Sequence, residues 1–166
     1  DVYKRQHVQI LPAFDFETVD EKNQKAQYNW GYDPDNYNVP EGSYAVSPYD
    51  GAVRIQEMKQ MVLALHSRGI GVIMDFVPVH FISDTYALNK FDGTALYEYA
   101  DEDKGYSEWG TCNFNYYRGE VRSFLQSSAN FWMEKFHFDG IRMDAISNAI
   151  YWQGDSSKGI NEGALD

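Results

Sequence analysis

Two segments of the chain repeat apolar residues at the spacing of an α-helix. In residues 52–68 the apolar positions lie three or four residues apart, which is the period of one helix face. Asp50 can cap the start of this helix, and Gly69 suits its end. A second segment, from Val121 to about Phe136, has the same period. The apolar positions of the first predicted helix are Ile55, Met58, Met61, Val62 and Leu65.

Three short apolar segments flank and separate these helices, and we predict them to be strands. They are residues 7–11, 71–77 and 138–145. The middle segment is an almost continuous apolar run, which is typical of a strand buried on both faces of a parallel sheet. Asp75 is the one charged residue in this run and therefore needs an explanation. The alternation of strands and helices predicts a parallel α/β architecture.

Two long polar stretches follow the first and second predicted strands. Residues 15–51 and 78–118 are rich in Asn, Asp, Gly and Tyr, and their pattern predicts irregular loops. Loops of this length inside a compact domain are usually functional or disordered. Both would leave the carboxyl ends of parallel strands, which form the active-site edge of (β/α)8 barrels.

Composition narrows the class of protein. The chain has 166 residues with 25 acidic and 14 basic side chains, so its formal net charge is −11. This balance disfavours a nucleic-acid partner, which would need clustered cations, and solubility alone can explain the acidity. The single cysteine, Cys112, excludes an internal disulfide and a metal site built from several thiolates. No apolar run reaches the roughly 18 residues of a membrane span. The aromatic content of 16% suits stacking on sugars but also an ordinary core.

The predicted third strand carries an Arg and an Asp two residues apart. Residues two apart on a strand share a face, so Arg142 and Asp144 should point the same way while Ile141 and Met143 pack on the other side. A guanidinium can hold a neighbouring carboxylate ionised, as the nucleophile of a retaining glycosidase requires. A structural ion pair, or an Asp that caps the next turn, would give the same pattern.

Three further side chains are candidates for a pocket at the same edge. Asp75 ends an apolar strand and His80 follows it in the loop, where both could form hydrogen bonds. The alternative is an Asp satisfied by backbone amides and an unrelated His. Tyr32, which follows Trp30 and Gly31, could stack on a sugar face, or these rings could simply pack the loop down.

Three motifs together resemble the α-amylase superfamily, glycoside hydrolase family 13. The segment DFVPVH resembles the family motif at the end of the third barrel strand, FDGIRMDA resembles that of the fourth, and HVQILP resembles the second strand. The resemblance covers almost the whole chain after Gln6. It implies the α/β fold class in the form of a partial TIM (β/α)8 barrel, about strands 2 to 4 with their helices and long βα loops.

The resemblance also implies a role for each matching residue. The catalytic group would be the nucleophile and the Arg that positions it. The substrate-binding group would be a stacking tyrosine, a supporting aspartate and an imidazole that bonds the sugar in subsite −1. In that order the residues are Asp144, Arg142, Tyr32, Asp75 and His80.

Resemblance to subfamilies is mixed along the chain. The stretch YNWGYDPDNYNVPEGSYAVSPYDG and the helix MKQMVLALHSRG are similar to type I pullulanases. From about Gly71 onward the chain is similar to glycogen branching enzymes, because Val79 stands where amylases and pullulanases place Asn and because SEWGTCNFN is branching-enzyme-like. Either one unusual relative combines both features, or two related sequences were joined near residue 70.

The resemblance favours one function over two alternatives. We expect a 1,4-α-glucan branching enzyme, which transfers α-1,4-glucan chains with retention to form α-1,6 branches in glycogen metabolism. A type I pullulanase or another α-glucan hydrolase of the family is the first alternative, and a non-catalytic glucan-binding relative is an alternative of another class. The implied partner is an α-glucan such as glycogen, without cofactor, metal, nucleic acid or membrane, in the cytoplasm.

The resemblance implies that the chain is incomplete. A (β/α)8 barrel needs about 250 residues, and the family's acid/base Glu follows the fifth strand, which would lie beyond Asp166. The 166 residues alone are therefore expected to be inactive. Residues 1–6 fit nothing that follows and are expected to be an artefact of cloning or assembly. Residues 7–166 would form an incomplete catalytic domain with a loop insertion at about 81–118.

Overall fold

The computed structural model describes residues 4–17, 20–23, 27–84 and 87–164. The fold is α/β, as the alternation of elements predicts. The strands in this part of the chain are β1 (His7–Ile10), β2 (Phe14–Phe16), β3 (Pro34–Pro40), β4 (Gly71–Phe76), β5 (His80–Phe81), β6 (Cys112–Asn113) and β7 (Gly140–Met143). The α-helices are α1 (Gly51–His66), α2 (Glu102–Gly105), α3 (Gly119–Phe136) and α4 (Ile146–Ile150).

The three predicted strands form one parallel sheet in the order β1-β4-β7. Helix α1 lies between β1 and β4 along the chain, and α3 lies between β4 and β7. The register sets Ile10 beside Met74 and Asp75 beside Arg142. Two charged residues that are far apart in sequence thereby become neighbours near the carboxyl ends of adjacent strands.

Helix α1 begins and ends where its sequence signals predict. The Asp50 side chain accepts hydrogen bonds from the backbone amides of Ala52 and Val53 at 3.0 and 3.3 Å. Gly69, just past the helix, has a φ of +69°, which a glycine adopts without strain. The buried face is narrower than the apolar period predicts, because Met58 and Val62 are buried whereas Ile55 and Met61 are 41% and 37% exposed.

Helix α3 provides the largest buried side chain of the core. Trp132 is fully buried, and its indole Nε1 donates a hydrogen bond to the carbonyl oxygen of Tyr37 at 2.7 Å. The ring of Phe14 contacts the rings of Tyr37 and Trp132, with centroids 5.1 and 6.4 Å away. The core therefore joins α3 to segments that the sequence predicts to be loops.

The prediction that residues 15–51 and 78–118 are irregular is wrong in part. Strands β2 and β3 form an antiparallel pair, and β5 pairs with β6 in the same manner. Strand β3 alternates irregularly because its buried positions include Pro34 and Tyr37, with Asn and Asp between them. A strand built from such residues does not show the apolar alternation that identifies strands in a sequence.

Two smaller expectations also change. Met143 was predicted to pack on the side away from Arg142, but it is 46% exposed and lines an open apolar cavity of about 260 Å³. Residues 1–3 of the suspected artefact lie outside the described residues, while the carbonyl of Gln6 accepts a hydrogen bond from Gly71 N at 2.9 Å and so continues the pairing of β1. None of the described helices is both long and apolar enough to cross a membrane.

Candidate functional site

Charged side chains meet at the carboxyl ends of β4 and β7. Asp75 lies on β4, Arg142 lies on β7, and Asp144 follows directly after β7. Arg142 Nη1 is 2.5 Å from Asp144 Oδ1, and it is 2.8 and 3.0 Å from the two carboxylate oxygens of Asp75. Arg142 and Asp144 thus share one side of the strand, as the two-residue period predicts, and one guanidinium nitrogen bridges two carboxylates.

Asp75 is the buried member of this group. Its side chain is 2% exposed, and Tyr32 donates a hydrogen bond from its hydroxyl to Asp75 Oδ2 at 2.8 Å. The partners of this carboxylate are therefore side chains, so the alternative in which backbone amides satisfy it does not hold for the described residues. Burial and the hydrogen bond to Asp75 raise the pKa of Tyr32 to about 12, so the phenol stays neutral and remains a donor.

Arg142 joins the buried carboxylate to a more accessible one. The hydrogen bond to Asp75 raises the pKa of the guanidinium above its already high value, so Arg142 is a permanent cation. The side chain of Asp144 is 19% exposed, against 2% for Asp75. Asp144 is thus the carboxylate that keeps access to solvent while a cation holds it in place.

The turn at Gly31 separates the exposed ring of Trp30 from the ring of Tyr32, which reaches the charged group. Gly31 has a φ of +86°, and a Cβ atom at this position would lie 2.8 Å from the carbonyl oxygen of Pro12. Only glycine fits there without a shift of the backbone. Trp30 on one side of it is 62% exposed, whereas Tyr32 on the other side reaches Asp75. Tyr32 accordingly belongs to the charged group, and Trp30 does not.

The backbone of His80 is fixed by its neighbours on two sides. The hydroxyl of Tyr37 lies 2.8 Å from the carbonyl oxygens of both Val77 and His80, so its single proton is shared between them. His80 pairs with Asn113 in the short β5-β6 ladder. The imidazole itself is buried, and Thr111 Oγ1 lies 2.9 Å from its Nδ1.

Burial decides the charge of His80. It lowers the pKa of the imidazole to about 4, and the nearby carboxylate of Asp144 opposes that shift only in part. At neutral pH the ring is therefore uncharged. The same carboxylate also raises the pKa of Tyr32. Electrostatic interactions therefore connect all five predicted site residues, which are Tyr32, Asp75, His80, Arg142 and Asp144. The structure brings all five sequence-predicted site residues together, while their chemical roles stay predictions.

Sequence reasoning missed three side chains around His80. Ser107, Trp109 and Thr111 lie on the segment between β5 and β6, and the Trp109 ring centroid is 5.0 Å from that of His80. The stretch SEWGT gave one signal, a tryptophan next to a glycine with a serine and a threonine at either end. Nothing in this stretch reveals that it folds back onto a histidine about 30 residues earlier.

A second group of carboxylates shares no residue with the first. Oxygen atoms of Asp15, Glu21 and Glu41 lie within 4.8 Å of one another, a spacing that a metal ion could use. The guanidinium of Arg54 already lies among them, 3.5 Å from Asp15 and 3.1 Å from Glu21. The geometry is that of a structural ion-pair cluster, and we assign no metal to it.

Comparison with known proteins gives a consistent family. No protein-family model matches the chain. The chain is 42% identical over 146 residues to the 1,4-alpha-glucan branching enzyme GlgB of Dechloromonas aromatica, a match that covers 87% of this chain and 21% of the relative. It is 48% identical over 124 residues to the GlgB of Cutibacterium acnes, which covers 74% of this chain and 18% of the relative.

A solved structure of a pullulanase has a similar backbone. The pullulanase of Paenibacillus barengoltzii in complex with maltohexaose and alpha-cyclodextrin superposes with a TM-score of 0.73 at 38% identity, over 83% of this chain and 22% of that chain. The chain spans about a fifth of the length of the curated relatives that it matches. A match of 146 residues in a chain of 166 necessarily crosses residue 70, so the branching-enzyme similarity is not confined to the second half.

The sheet, the charged group at its edge and these similarities define the class of protein. The chain is a segment of glycoside hydrolase family 13, the α-amylase superfamily. Within that family it resembles 1,4-α-glucan branching enzymes over most of its own length, with pullulanases as structural neighbours.

Proposed function

We propose that this chain is part of the catalytic barrel of a 1,4-α-glucan branching enzyme. The observation that carries the proposal is the bridge that Arg142 Nη1 forms between buried Asp75 and accessible Asp144. The sequence similarity to branching enzymes supports the particular activity. The substrate is an α-glucan such as glycogen, and we propose the cytoplasm as the location.

The proposed chemistry is transfer of a glucan chain with retention of configuration. Asp144 attacks the anomeric carbon of an α-1,4-linked glucose, the bond to the leaving oxygen breaks as that oxygen takes a proton from a second, acid/base carboxyl group, and a glycosyl ester forms. A 6-hydroxyl of another glucan chain then attacks the ester and gives its proton to the acid/base carboxylate, which creates an α-1,6 branch and frees Asp144. Arg142 holds Asp144 ionised and oriented before the attack, because the charge-assisted hydrogen bond is already formed in the structure.

The remaining members of the site bind the sugar in this scheme. Neutral His80 bonds a sugar hydroxyl, Tyr32 offers its ring to the sugar face, and Asp75 fixes both Tyr32 and Arg142. Retaining enzymes need a second carboxyl group about 5–5.5 Å from the nucleophile. We propose that this acid/base group lies outside the 166 residues, so that the chain alone is inactive.

The domain assignment is part of the same proposal. Strands β1, β4 and β7 correspond to about strands 2 to 4 of a (β/α)8 barrel, which explains why the charged group lies at their carboxyl ends. Residues 7–166 are then the incomplete catalytic domain, and about residues 81–118 are the insertion that carries Trp109 and Thr111.

A pullulanase is the second candidate, because the matching solved structures are pullulanases. A pullulanase passes the glycosyl group to water after it cuts a 1,6 bond, so the first chemical step is the same. A non-catalytic relative is disfavoured, because such proteins usually lose the nucleophile, whereas Asp144 is present here and is held at 2.5 Å from the guanidinium of Arg142.

The test uses the complete polypeptide that contains this segment, incubated separately with amylose and with pullulan. A branching enzyme raises the fraction of α-1,6 linkages in amylose, measured by proton NMR, without an equivalent rise in reducing ends. Cleavage of pullulan with new reducing ends supports the pullulanase instead, and the absence of both reactions supports a binding protein. The 166-residue chain is expected to do neither, and turnover by it would contradict the proposed missing acid/base group.

A further inference from the structure

A short turn holds the imidazole of His80, and the proposed mechanism does not yet give it a role. Ser107 N donates a hydrogen bond to Thr111 O at 2.8 Å, and Gly110 N donates to Ser107 O at 3.1 Å, so that the turn is closed at both ends. Gly110 has a φ of +77°, which a glycine adopts readily. The turn thereby forms a series of contacts in which the Ser107 hydroxyl meets the Thr111 hydroxyl, and the Thr111 hydroxyl meets His80 Nδ1.

The direction of the hydrogen bonds along this line follows from Ser107. Its Oγ accepts hydrogen bonds from the backbone amides of Trp109 at 3.1 Å and Thr111 at 3.2 Å. A serine hydroxyl has two acceptor lone pairs and one proton to donate. Both lone pairs are used by these amides, so Ser107 donates its own proton to Thr111 Oγ1, which lies 2.6 Å away.

Thr111 then has a proton to donate, and among the described residues its hydroxyl lies next to one acceptor, His80 Nδ1. The residue is 6% exposed, so an unpaired hydroxyl proton would be unfavourable. His80 Nδ1 lies 2.9 Å from Thr111 Oγ1 and can accept this proton as a hydrogen bond only if Nδ1 carries none itself. In a neutral imidazole the ring proton is then on Nε2.

The surroundings of the ring agree with this assignment. The lowered pKa of His80 keeps the imidazole neutral at physiological pH, so a single ring proton has to be placed. The Trp109 indole lies against the ring with an interplanar angle of 43°, and it restricts the rotation that would exchange the two nitrogens. Within the described residues Nε2 has no hydrogen-bond partner, so its proton is available to a ligand.

We propose that Ser107 and Thr111 are positioning residues that fix His80 in the tautomer with its proton on Nε2, ready to donate to a hydroxyl of the bound glucan. The inference rests on the proposed function only for the identity of that ligand. The chain of hydrogen bonds from Ser107 through Thr111 to His80, which we call the relay, depends only on the contacts of these three residues. It requires no assumption about activity.

Neutron diffraction from deuterium-exchanged crystals of the complete polypeptide tests the relay directly. The expected map has deuterium on His80 Nε2, none on Nδ1, and the Thr111 hydroxyl deuterium directed at Nδ1. Deuterium on Nδ1 would overturn the proposal, because Thr111 would then be the acceptor. This result does not depend on turnover, so it separates a failure of the relay from a failure of the proposed function.

Kinetics of three variants of the complete polypeptide test the consequence. Thr111→Val keeps the shape and removes the hydroxyl, and we expect kcat/KM on amylose to fall about 10-fold to 100-fold, as when the outer hydrogen-bond partner of a metal-ligating histidine is removed. Thr111→Ser keeps the hydroxyl and should recover most of the activity. Equal losses in the two variants would show a packing role only and would sink the proposal.

Ser107→Ala guards against a Thr111→Val protein that fails to fold. It keeps the side chains of Thr111 and His80 and removes the Ser107 hydroxyl, which donates to Thr111 Oγ1 and accepts hydrogen bonds from the backbone amides of Trp109 and Thr111. We expect a smaller loss of kcat/KM than for Thr111→Val, with an unchanged melting temperature within about 2 °C. Full activity of Ser107→Ala, with the neutron map of this variant unchanged at His80, would contradict the relay.

Discussion

The two ends of the parallel sheet each hold a carboxylate beside a cation or a histidine, but in different surroundings. At the carboxyl end Asp75 is 2% exposed and bonds to Arg142 and Tyr32. At the amino end Asp139 is 40% exposed and accepts hydrogen bonds at 2.7 Å from Val72 N and from His66 Nε2. Of the two carboxylates, only Asp75 is buried and paired with a permanent cation, although the Arg142 side chain itself is 44% exposed.

The difference supports the proposal that chemistry takes place at the carboxyl end of the sheet. A buried, fully bonded carboxylate costs desolvation, and a fold that only needs strength does better with apolar packing there. The same arrangement keeps Arg142 in one orientation and thereby fixes Asp144. The group at the amino end bonds an exposed carboxylate to a backbone amide, which secures the start of β4 and leaves no charged side chain aimed at a ligand.

The largest expected effect separates the two ends by activity. Asp144→Asn in the complete polypeptide removes the proposed nucleophile and should lower kcat by at least about 10³-fold. Asp139→Asn is the matched control, because it makes the same change at the other end of the sheet and should keep kcat within a factor of about two. The measurement is initial branching rate on amylose, with circular dichroism to verify both folds. Similar losses in the two variants would contradict the division of the sheet into a chemical and a structural end.

The next effect is on both activity and stability. Asp75→Asn leaves Arg142 without its buried counter-charge, and we expect the free energy of unfolding to fall by about 2 kcal/mol, the range for hydrogen bonds to charged groups. Activity should fall too, because Arg142 is then free to leave Asp144. Urea unfolding of the chain and branching rates of the complete polypeptide measure the two effects.

Tyr32→Phe is the control for Asp75→Asn, since it removes one neutral donor from the same carboxylate and leaves Arg142 bonded. Its expected destabilisation is about 1 kcal/mol. A larger loss for Tyr32→Phe than for Asp75→Asn would show that the phenol, and not the guanidinium, holds the buried carboxylate.

The sequence predicted the part of this comparison that depends on local periodicity. The two-residue period placed Arg142 and Asp144 on one side, and the three-to-four-residue period placed the helices that separate the parallel strands. The apolar run around Asp75 also predicted a buried strand, and Asp75 is buried. These features follow from residues that are near one another along the chain.

The partners of the site residues could not be predicted in the same way. Tyr32 is 43 residues from Asp75, and Thr111 is 31 residues from His80, so each contact depends on the path of a long segment. Those segments owe their order to buried aromatic rings such as Tyr37 and Phe114, which are spaced without a period. The exposure of Met143 is also a property of its neighbours in space and not of its strand.

A smaller effect concerns the amino end and depends on pH. The hydrogen bonds from Val72 N and His66 hold the pKa of Asp139 below its usual value. A carboxyl whose pKa is lowered on folding adds stability above its unfolded pKa, and this is lost as the pH falls through the folded value. Asp139→Asn should therefore destabilise the chain by less than about 1 kcal/mol at pH 7, because Asp139 is exposed. The difference in the free energy of unfolding between the unaltered chain and Asp139→Asn should shrink towards pH 3 in urea titrations. A difference that grows on acidification would contradict the lowered pKa of Asp139.

The smallest expected effect comes from the partner of Asp139. His66→Gln keeps a side chain that can donate to Asp139, and Val72 N still bonds the same carboxylate oxygen. The free energy of unfolding should change by no more than about 0.5 kcal/mol, which is the usual range for exposed substitutions. Branching by the complete polypeptide should not change, because His66 lies at the opposite end of the sheet from Asp144. A loss of more than about 1 kcal/mol in urea unfolding would mean that the amino end holds the sheet together more strongly than its exposure implies.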